Sequence, residues 1–226
     1  MRFNPSCGCC CNCRNSSILL LVDTTGSMRG TIARLKVLFH DLEEDFDHAS
    51  CEWGIAEYKD YEDGINDSAF YDGWKVLQTF TTDFSLVITA VDSYSASGGG
   101  DTPEQNFDAL LNSGNLWESE LLGSTDPEKK RVIIWAGDEP SWNGTISYKP
   151  HVYPERSAVI SSLSSANIKV FGLNTSGAGG GIDGQAAGDN EPFQASSICN
   201  ATGGEVFHNI QDIDDVHDAL CKALRG

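Results

Sequence analysis

No stretch of this sequence stays apolar for long. The longest uninterrupted run, Ile18 to Val22, falls far short of the roughly 20 residues needed to cross a bilayer, so no membrane insertion is expected. Basic residues are also scarce: 15 Lys and Arg stand against 33 Asp and Glu, a formal net charge of −18. That charge repels a phosphate backbone, which argues against nucleic acid as a partner and disfavours an anionic membrane surface. Prolines number only seven, and no Pro-rich or charge-block linker marks a boundary, so one hydrophobic core is expected. The sequence lacks a Gly-x-Ser-x-Gly elbow, a Walker loop and a His-Glu-x-x-His pair. Its five histidines, His40, His48, His151, His208 and His217, stand singly and suit surface or helix positions. An enzyme is not expected.

Residues 1–17, MRFNPSCGCCCNCRNSS, lack the apolar core of a secretory signal. The expectation is therefore a cytoplasmic protein, or one on the surface of a cytosolically assembled particle such as a virion. On that reading the sequons at Asn15, Asn66, Asn143, Asn174 and Asn200 are polar loop residues rather than glycosylation sites.

Cysteine is not scarce, but it is unevenly placed. Cys7, Cys9, Cys10, Cys11 and Cys13 crowd an N-terminal arm (1–16), whereas Cys51, Cys199 and Cys221 are scattered through the remaining 17–226. Cys7, Cys10 and Cys13 have the C-x2-C-x2-C spacing that opens a bacterial ferredoxin run, but Ser17 stands where the fourth cysteine belongs. Three readings stay open: disulfides within the arm or between chains, a bound zinc or iron–sulfur cluster, and free thiols. Cross-linking of either kind is expected over a free tail.

Ile18 to Val22, ending in Asp23, has the form of a strand buried on both faces of a parallel sheet. After the turn TTGSM, Ile32, Leu35, Phe39, Leu42 and Phe46 recur at steps of three and four, which predicts a helix over Met28 to Phe46. Trp53 to Tyr58 and Trp74 to Phe80 read as a hairpin or adjacent strands. Asp83 to Tyr94 has helical spacing and stops at Gly98-Gly-Gly100; Thr102 and Pro103 then read as N-cap and first residue of another helix. Arg131 to Ala136 is a second bare apolar strand, ending at Gly137 and Asp138. Helix (Glu155 to Ala166), strand (Ile168 to Leu173), a Gly-rich connection (Gly177 to Asp189) read as mobile, helix (Pro192 to Ala201), strand (Glu205 to His208) and a helix from Asp212 complete the alternation. The pattern predicts an α/β domain with a mainly parallel sheet, helices on both faces, and a site at the carboxyl ends of the strands.

Three segments place oxygen ligands at that end: Asp23, Thr25 and Ser27 after the first strand, Asp101 and Thr102 before a helix, and Asp138 after the RVIIWA strand. Here the sequence resembles the von Willebrand factor A (vWA) family, whose metal-ion-dependent adhesion site uses Asp-x-Ser-x-Ser, a distant Thr and a distant Asp. The strings LLLVDTTGSM, EYKDYEDG, FTTDFS, GGGDTPE and WAGDEPSW resemble the hemicentin-like and alpha-kinase-associated branch.

The resemblance covers Ser17 to Arg225 and implies a Rossmann-like fold. It also implies a Mg²⁺ or Mn²⁺, with Ca²⁺ as a further candidate, held by Asp23, Thr25, Ser27, Thr102 and Asp138. Thr25 departs from the pattern by keeping the hydroxyl and adding a methyl, and Asp101 is an alternative to Thr102.

A hard cation ringed by few carboxylates and several neutral hydroxyls is under-neutralised. It can take one more carboxylate, and in this family that comes from a Glu or Asp of a protein partner. Trp142 stands near such a rim or is buried under the loop. Other readings are a structural component of a larger assembly, such as a virion, phage tail or injection machine, anchored or self-associated through the arm, and a phosphotransferase of the haloacid dehalogenase type. The latter needs an Asp where Thr25 stands.

Overall fold

The computed structural model describes residues 15–45, 51–60, 73–99, 103–118, 128–144, 151–185, 192–210 and 212–225. Six strands form one sheet: β1 (Ser16–Asp23), β2 (Cys51–Tyr58), β3 (Trp74–Thr81), β4 (Lys130–Gly137), β5 (Ile168–Asn174) and β6 (Val206–Phe207). Their order is β3-β2-β1-β4-β5-β6, with every neighbouring pair parallel except β2 and β3. Among the described residues the α-helices are α1 (Arg29–Asp45), α2 (Phe84–Ser93), α3 (Asn106–Glu118), α4 (Arg156–Ser165), α5 (Gln194–Thr202) and α6 (Ile213–Arg225).

All eight residues of β1 are buried because both sheet faces are covered. Side chains alternate along a strand, so Ile18, Leu20 and Val22 enter one core with α1, α2 and α6, while Leu19 and Leu21 enter the other with α3, α4 and α5. On the first face the Trp53 ring meets Phe39 edge-on at 5.4 Å and Phe84 at 6.4 Å. On the second, Phe80 and Trp117 lie 4.7 Å apart. The periodic residues Ile32, Leu35, Phe39 and Leu42 of α1 are all buried, while Phe46 lies outside the described residues. Asp83 caps α2 by accepting from the Ser85 backbone N–H at 3.1 Å and its hydroxyl at 2.6 Å.

Two expectations need correction. Pro103 does not open α3, which begins at Asn106. Glu104 instead forms a parallel bridge with Ser141, donating its N–H to the Pro140 carbonyl at 2.9 Å, and that extended pairing displaces the helix start. The Gly-rich connection, where described, is packed rather than mobile: Gly181–Asp183 is a 3-10 turn with Ile182 and Asp183 fully buried.

Asn174, read as a loop sequon, is buried at the end of β5. Its amide donates to the carbonyls of Gly177 at 3.3 Å and Gly180 at 2.9 Å. Asp183 accepts from the Ser196 backbone at 2.8 Å and hydroxyl at 3.0 Å, satisfying the start of α5 from outside that helix.

Among the described residues no helix is long and apolar enough to cross a membrane. Cys199 is a free buried thiol whose pKa burial pushes up, whereas Cys51 and Cys221 are both disulfide-bonded. The arm cysteines Cys7, Cys9, Cys10, Cys11 and Cys13 lie outside the described residues.

Candidate metal centre

Asp23 and Asp138 stand at the carboxyl ends of adjacent strands, because Val22 and Ala136 are register partners in the β1–β4 pair. Parallel pairing thus brings together two carboxylates more than a hundred residues apart in sequence. Beyond Asp23 the chain turns sharply, and a 3-10 turn (Gly26–Met28) leads into α1. Asp23 Oδ1 shapes that turn by accepting from the Thr25 backbone N–H at 2.8 Å and the Thr25 hydroxyl at 2.7 Å. The Thr25 hydroxyl lies 3.3 Å from that of Ser27. Asp23 and Thr25 are buried, Asp138 is half-buried and Ser27 is exposed, so the cluster opens to solvent on the Ser27 side.

The loop after α2 supports this turn. Gly26 donates to the Gly98 carbonyl at 3.0 Å and Ser97 to the Thr24 carbonyl at 3.1 Å. Gly99 sits at φ +81°, where a Cβ would come within 2.9 Å of the Thr25 Cβ, so only glycine brings this backbone so close. Beneath the turn the buried Lys59 ammonium donates to the carbonyls of Thr24 at 2.6 Å and Ser97 at 2.7 Å. Tyr58, fully buried, donates its hydroxyl to the Ala136 carbonyl at 3.2 Å and accepts from the Trp135 indole at 3.0 Å.

Burial is the main reason that Asp23 is raised from 3.8 to about 7; the Asp138 charge adds to it, and the Thr25 hydrogen bonds and the Lys59 charge oppose it. Asp138 is raised by burial too, with Ser27 and Asp23 close beside it working against the rise. The Tyr58 phenol lies well above its usual range through burial first, then the charges of Asp23, Glu104 and Asp138.

Two carboxylate oxygens, Asp23 Oδ2 and Asp138 Oδ1, are buried with no hydrogen-bond partner. Buried acceptors are normally satisfied, so this pair of orphans beside two hydroxyls suits a hard divalent cation, which coordinates oxygen. Among the described residues no cluster of three or more His, Cys, Asp or Glu could hold an ion. A cation here would rely on two carboxylates completed by hydroxyls.

The structure thus brings Asp23, Thr25, Ser27 and Asp138 together, whereas Asp101 and Thr102 lie outside the described residues. The sequence reading missed Lys59 and Glu104, whose nearness to the turn depends on loops meeting in space. The sign it could have used is EYK at the end of a strand: a lysine following a buried tyrosine has to find acceptors. Trp142 is buried rather than at a rim, stacked on Tyr153 at 5.7 Å. Of the histidines, His40 lies exposed on α1, 3.0 Å from Asp92, as a surface or helix position requires, and His151 lies 3.0 Å from the Asp108 carboxylate.

No family model matches the sequence, and no curated protein matches it either. Solved structures do match. A crystal form of proximal thread matrix protein 1 from the mussel byssus superposes with a TM-score of 0.65 at 14% identity, covering 95% of this chain and 48% of that one. The same mussel protein with a zinc-occupied MIDAS motif gives 0.64 at 13% identity, again with 95% and 48% covered. A third structure gives 0.61 at 11% identity over 95% and 47%. The chain therefore spans about half the length of these proteins. At such identities the likeness is one of architecture, and the architecture is the Rossmann-like fold of von Willebrand factor A domains.

Proposed function

We propose that this chain is a metal-dependent protein-binding module, not an enzyme, which holds Mg²⁺ or Mn²⁺ at Asp23, Thr25, Ser27 and Asp138 and engages an acidic residue of a protein partner. The observation that carries the reading is the pair of buried, unpartnered oxygens, Asp23 Oδ2 and Asp138 Oδ1, converging beside the Thr25 and Ser27 hydroxyls. Thr102, or Asp101 in its place, completes the set by the family resemblance. A zinc-occupied MIDAS motif in a neighbour of the same architecture supports a divalent ion at this end of the sheet.

When bound, the ion supplies a positive centre for a carboxylate. This chain's own residues give it shape. Asp23 holds the turn, Lys59 keeps the carbonyls of Thr24 and Ser97 facing inward, and Ser27 stands where a partner can reach it. The −18 charge favours a partner that is less acidic overall yet offers one exposed Glu or Asp.

Within the fold, LLLVDTTGSM and WAGDEPSW support the hemicentin-like branch. A role as a structural component of a larger assembly is the second reading, favoured by the thread matrix protein of the mussel byssus among the neighbours.

The experiment is partner capture in Mg²⁺ and again in EDTA, followed by scanning of the partner's exposed acidic residues. Metal-dependent capture that is lost on removing one partner carboxylate supports the proposal. Equal capture in EDTA overturns it.

A further inference from the structure

We infer that Phe193 is an apolar anchor of the partner-binding face beside the candidate metal centre. The occupant it fits is an extended protein segment with an aliphatic or aromatic residue within about six positions of the Glu or Asp offered to the ion. The inference rests on the proposed function for the carboxylate and adds a second contact. Phe193 is 48% exposed, a large apolar side chain that the fold leaves half in solvent. Its backbone sits at φ 61° and ψ 50°, in the left-handed region that a bulky residue adopts only at a cost. Such strain persists where the surroundings over-determine it, and both neighbours of Phe193 are fastened. The Pro192 carbonyl accepts from the Arg156 guanidinium at 3.4 Å. The buried Gln194 amide accepts from the Ser141 N–H at 2.7 Å and donates to the Ser141 carbonyl at 2.9 Å. The Phe193 carbonyl itself accepts from the Ser197 N–H at 2.9 Å, in the first turn of α5.

These bonds fix the ring relative to Asp138. Ser141 follows Asp138 on the same loop, so Gln194 ties the start of α5 to that loop. The Gly-rich connection approaches Asp138 from both sides. A Cβ on Gly137 would come within 2.7 Å of Ile182 Cγ2, and one on Gly184 within 3.4 Å of Pro140 Cβ. The Phe193 ring reaches the same connection, 3.6 Å from where a Gly179 Cβ would stand. Steps of this size keep the ring within about 20 Å of Asp138, a span that about six extended residues cover. A standard interface of about 800 Å² per partner is roughly 30 Å across, so one partner can meet both.

Charge selects the kind of partner. From Thr175 to Ile182 the connection has no charged side chain, and Asp183 is fully buried. Gly177, Ala178 and Gly179 are exposed and offer a flat, neutral floor. On a chain of net charge −18 such a floor lets a segment bring a carboxylate to the centre without the repulsion met elsewhere. A second copy of this chain fits poorly, because two such charges repel.

The test selects displayed peptides long enough to reach about 20 Å on either side of one fixed Glu. Selection is run in Mn²⁺ on the full chain, on Phe193→Ser and on Val37→Ser, which alters an exposed apolar residue of α1. The wild-type chain and Val37→Ser are expected to enrich Leu, Ile, Phe or Tyr within about six positions of the Glu. Phe193→Ser should lose that preference and bind the selected peptides about tenfold more weakly, with Mn²⁺ affinity unchanged by calorimetry. The same preference in Phe193→Ser, or no apolar enrichment on the wild-type chain, overturns the inference. Light scattering that shows a wild-type dimer split by Phe193→Ser also overturns it, since the occupant is then a second copy. Phe193→Asn, which suits the left-handed backbone, should raise the melting point while weakening the selected peptides. A lowered melting point makes the ring a packing element of the fold and counts against the inference. Enrichment that survives EDTA yet still needs Phe193 removes the proposed function and leaves this inference standing. Mn²⁺-dependent capture without apolar preference does the reverse.

Discussion

Lys59 donates its ammonium to the carbonyl oxygen of Thr24 at 2.6 Å, from a buried position directly beneath the turn that carries Thr25 and Ser27. The same nitrogen reaches the Ser97 carbonyl at 2.7 Å, so one charge ties together two loops that have no regular structure of their own. Its charge also favours the ionised form of Asp23. Lys59→Met keeps the length and apolar stem but strands those carbonyls. It is expected to lower stability by about 2 kcal/mol and to weaken metal binding. Denaturant melts and calorimetric Mn²⁺ titration of the variant check both; an unchanged affinity would show that the turn holds its shape without Lys59.

Asp23→Asn should move stability and binding in opposite directions. The wild-type carboxylate ionises against burial, which is why it is raised to about 7, and a neutral amide still accepts from Thr25. Without metal at pH 8 the variant is expected to be more stable by roughly 2 to 4 kcal/mol. Metal-induced stabilisation should vanish. Thermal melts with and without Mg²⁺ measure both effects, and a variant that is less stable without metal contradicts the account.

Much of this architecture is legible from pattern. β1 is an unbroken apolar run because helices cover both faces of the sheet, and the steps of three and four in α1 mark the face that meets it. Asp23 and Asp138 could be singled out because each ends such a run. What could not be read depends on partners distant in sequence.

Pro103 looks like a helix start, but the Ser141 segment draws Glu104 into a bridge first. Gly177 to Asp183 has the composition of a mobile connection, yet Asn174 and Ser196 bind it down. Trp142 could face solvent or core, and Tyr153 decides for the core. Cys51 and Cys221 look isolated in sequence; their bonded state is a property of the folded chain.

Metal affinity should fall as pH drops below about 7. Asp23 is raised from 3.8 to about 7, so the metal-free fold binds a proton there that the unfolded chain releases. That contribution to stability is full below about pH 4 and is lost as pH rises through 7. A cation must displace this proton in acid but not in base, so saturating Mg²⁺ should stabilise the chain more at pH 8 than at pH 5.5. Melting temperatures at the two pH values, with and without Mg²⁺, check the sign; equal stabilisation would mean that the ion does not bind Asp23.

Ser27→Ala should separate the site from the fold. Ser27 is exposed, so loss of its hydroxyl should change stability by less than about 0.5 kcal/mol. As a neutral ligand beside Thr25, it should still matter to the ion. The expected result is weaker Mn²⁺ binding with an unchanged melt in EDTA. If Mn²⁺ binding is also unchanged, Ser27 lies outside the coordination shell.

Gly99→Ala tests whether the loop after α2 shapes the centre. At φ +81° an alanine is held in the left-handed region, which costs roughly 1 to 2 kcal/mol by itself. Its methyl would also arrive 2.9 Å from the Thr25 Cβ, closer than carbon atoms pack, and Thr25 is buried with its hydroxyl and N–H both committed to Asp23. One of the two backbones must move. A shift of Thr25 disturbs its hydrogen bonds to Asp23 and opens the hydroxyl pair that it forms with Ser27. The variant is therefore expected to fold with a lowered melting point and to bind Mn²⁺ more weakly than the strain alone explains. Comparing it with Gly203→Ala separates the effects. Gly203 has the same φ of +81°, but the nearest atom that a Cβ there would meet outside its own helix is at the end of the Lys169 side chain, 3.9 Å away, far from the carboxylates. Gly203→Ala should lower the melting point and leave Mn²⁺ affinity as it was; equal affinities for the two variants would remove Gly99 from the account of the site.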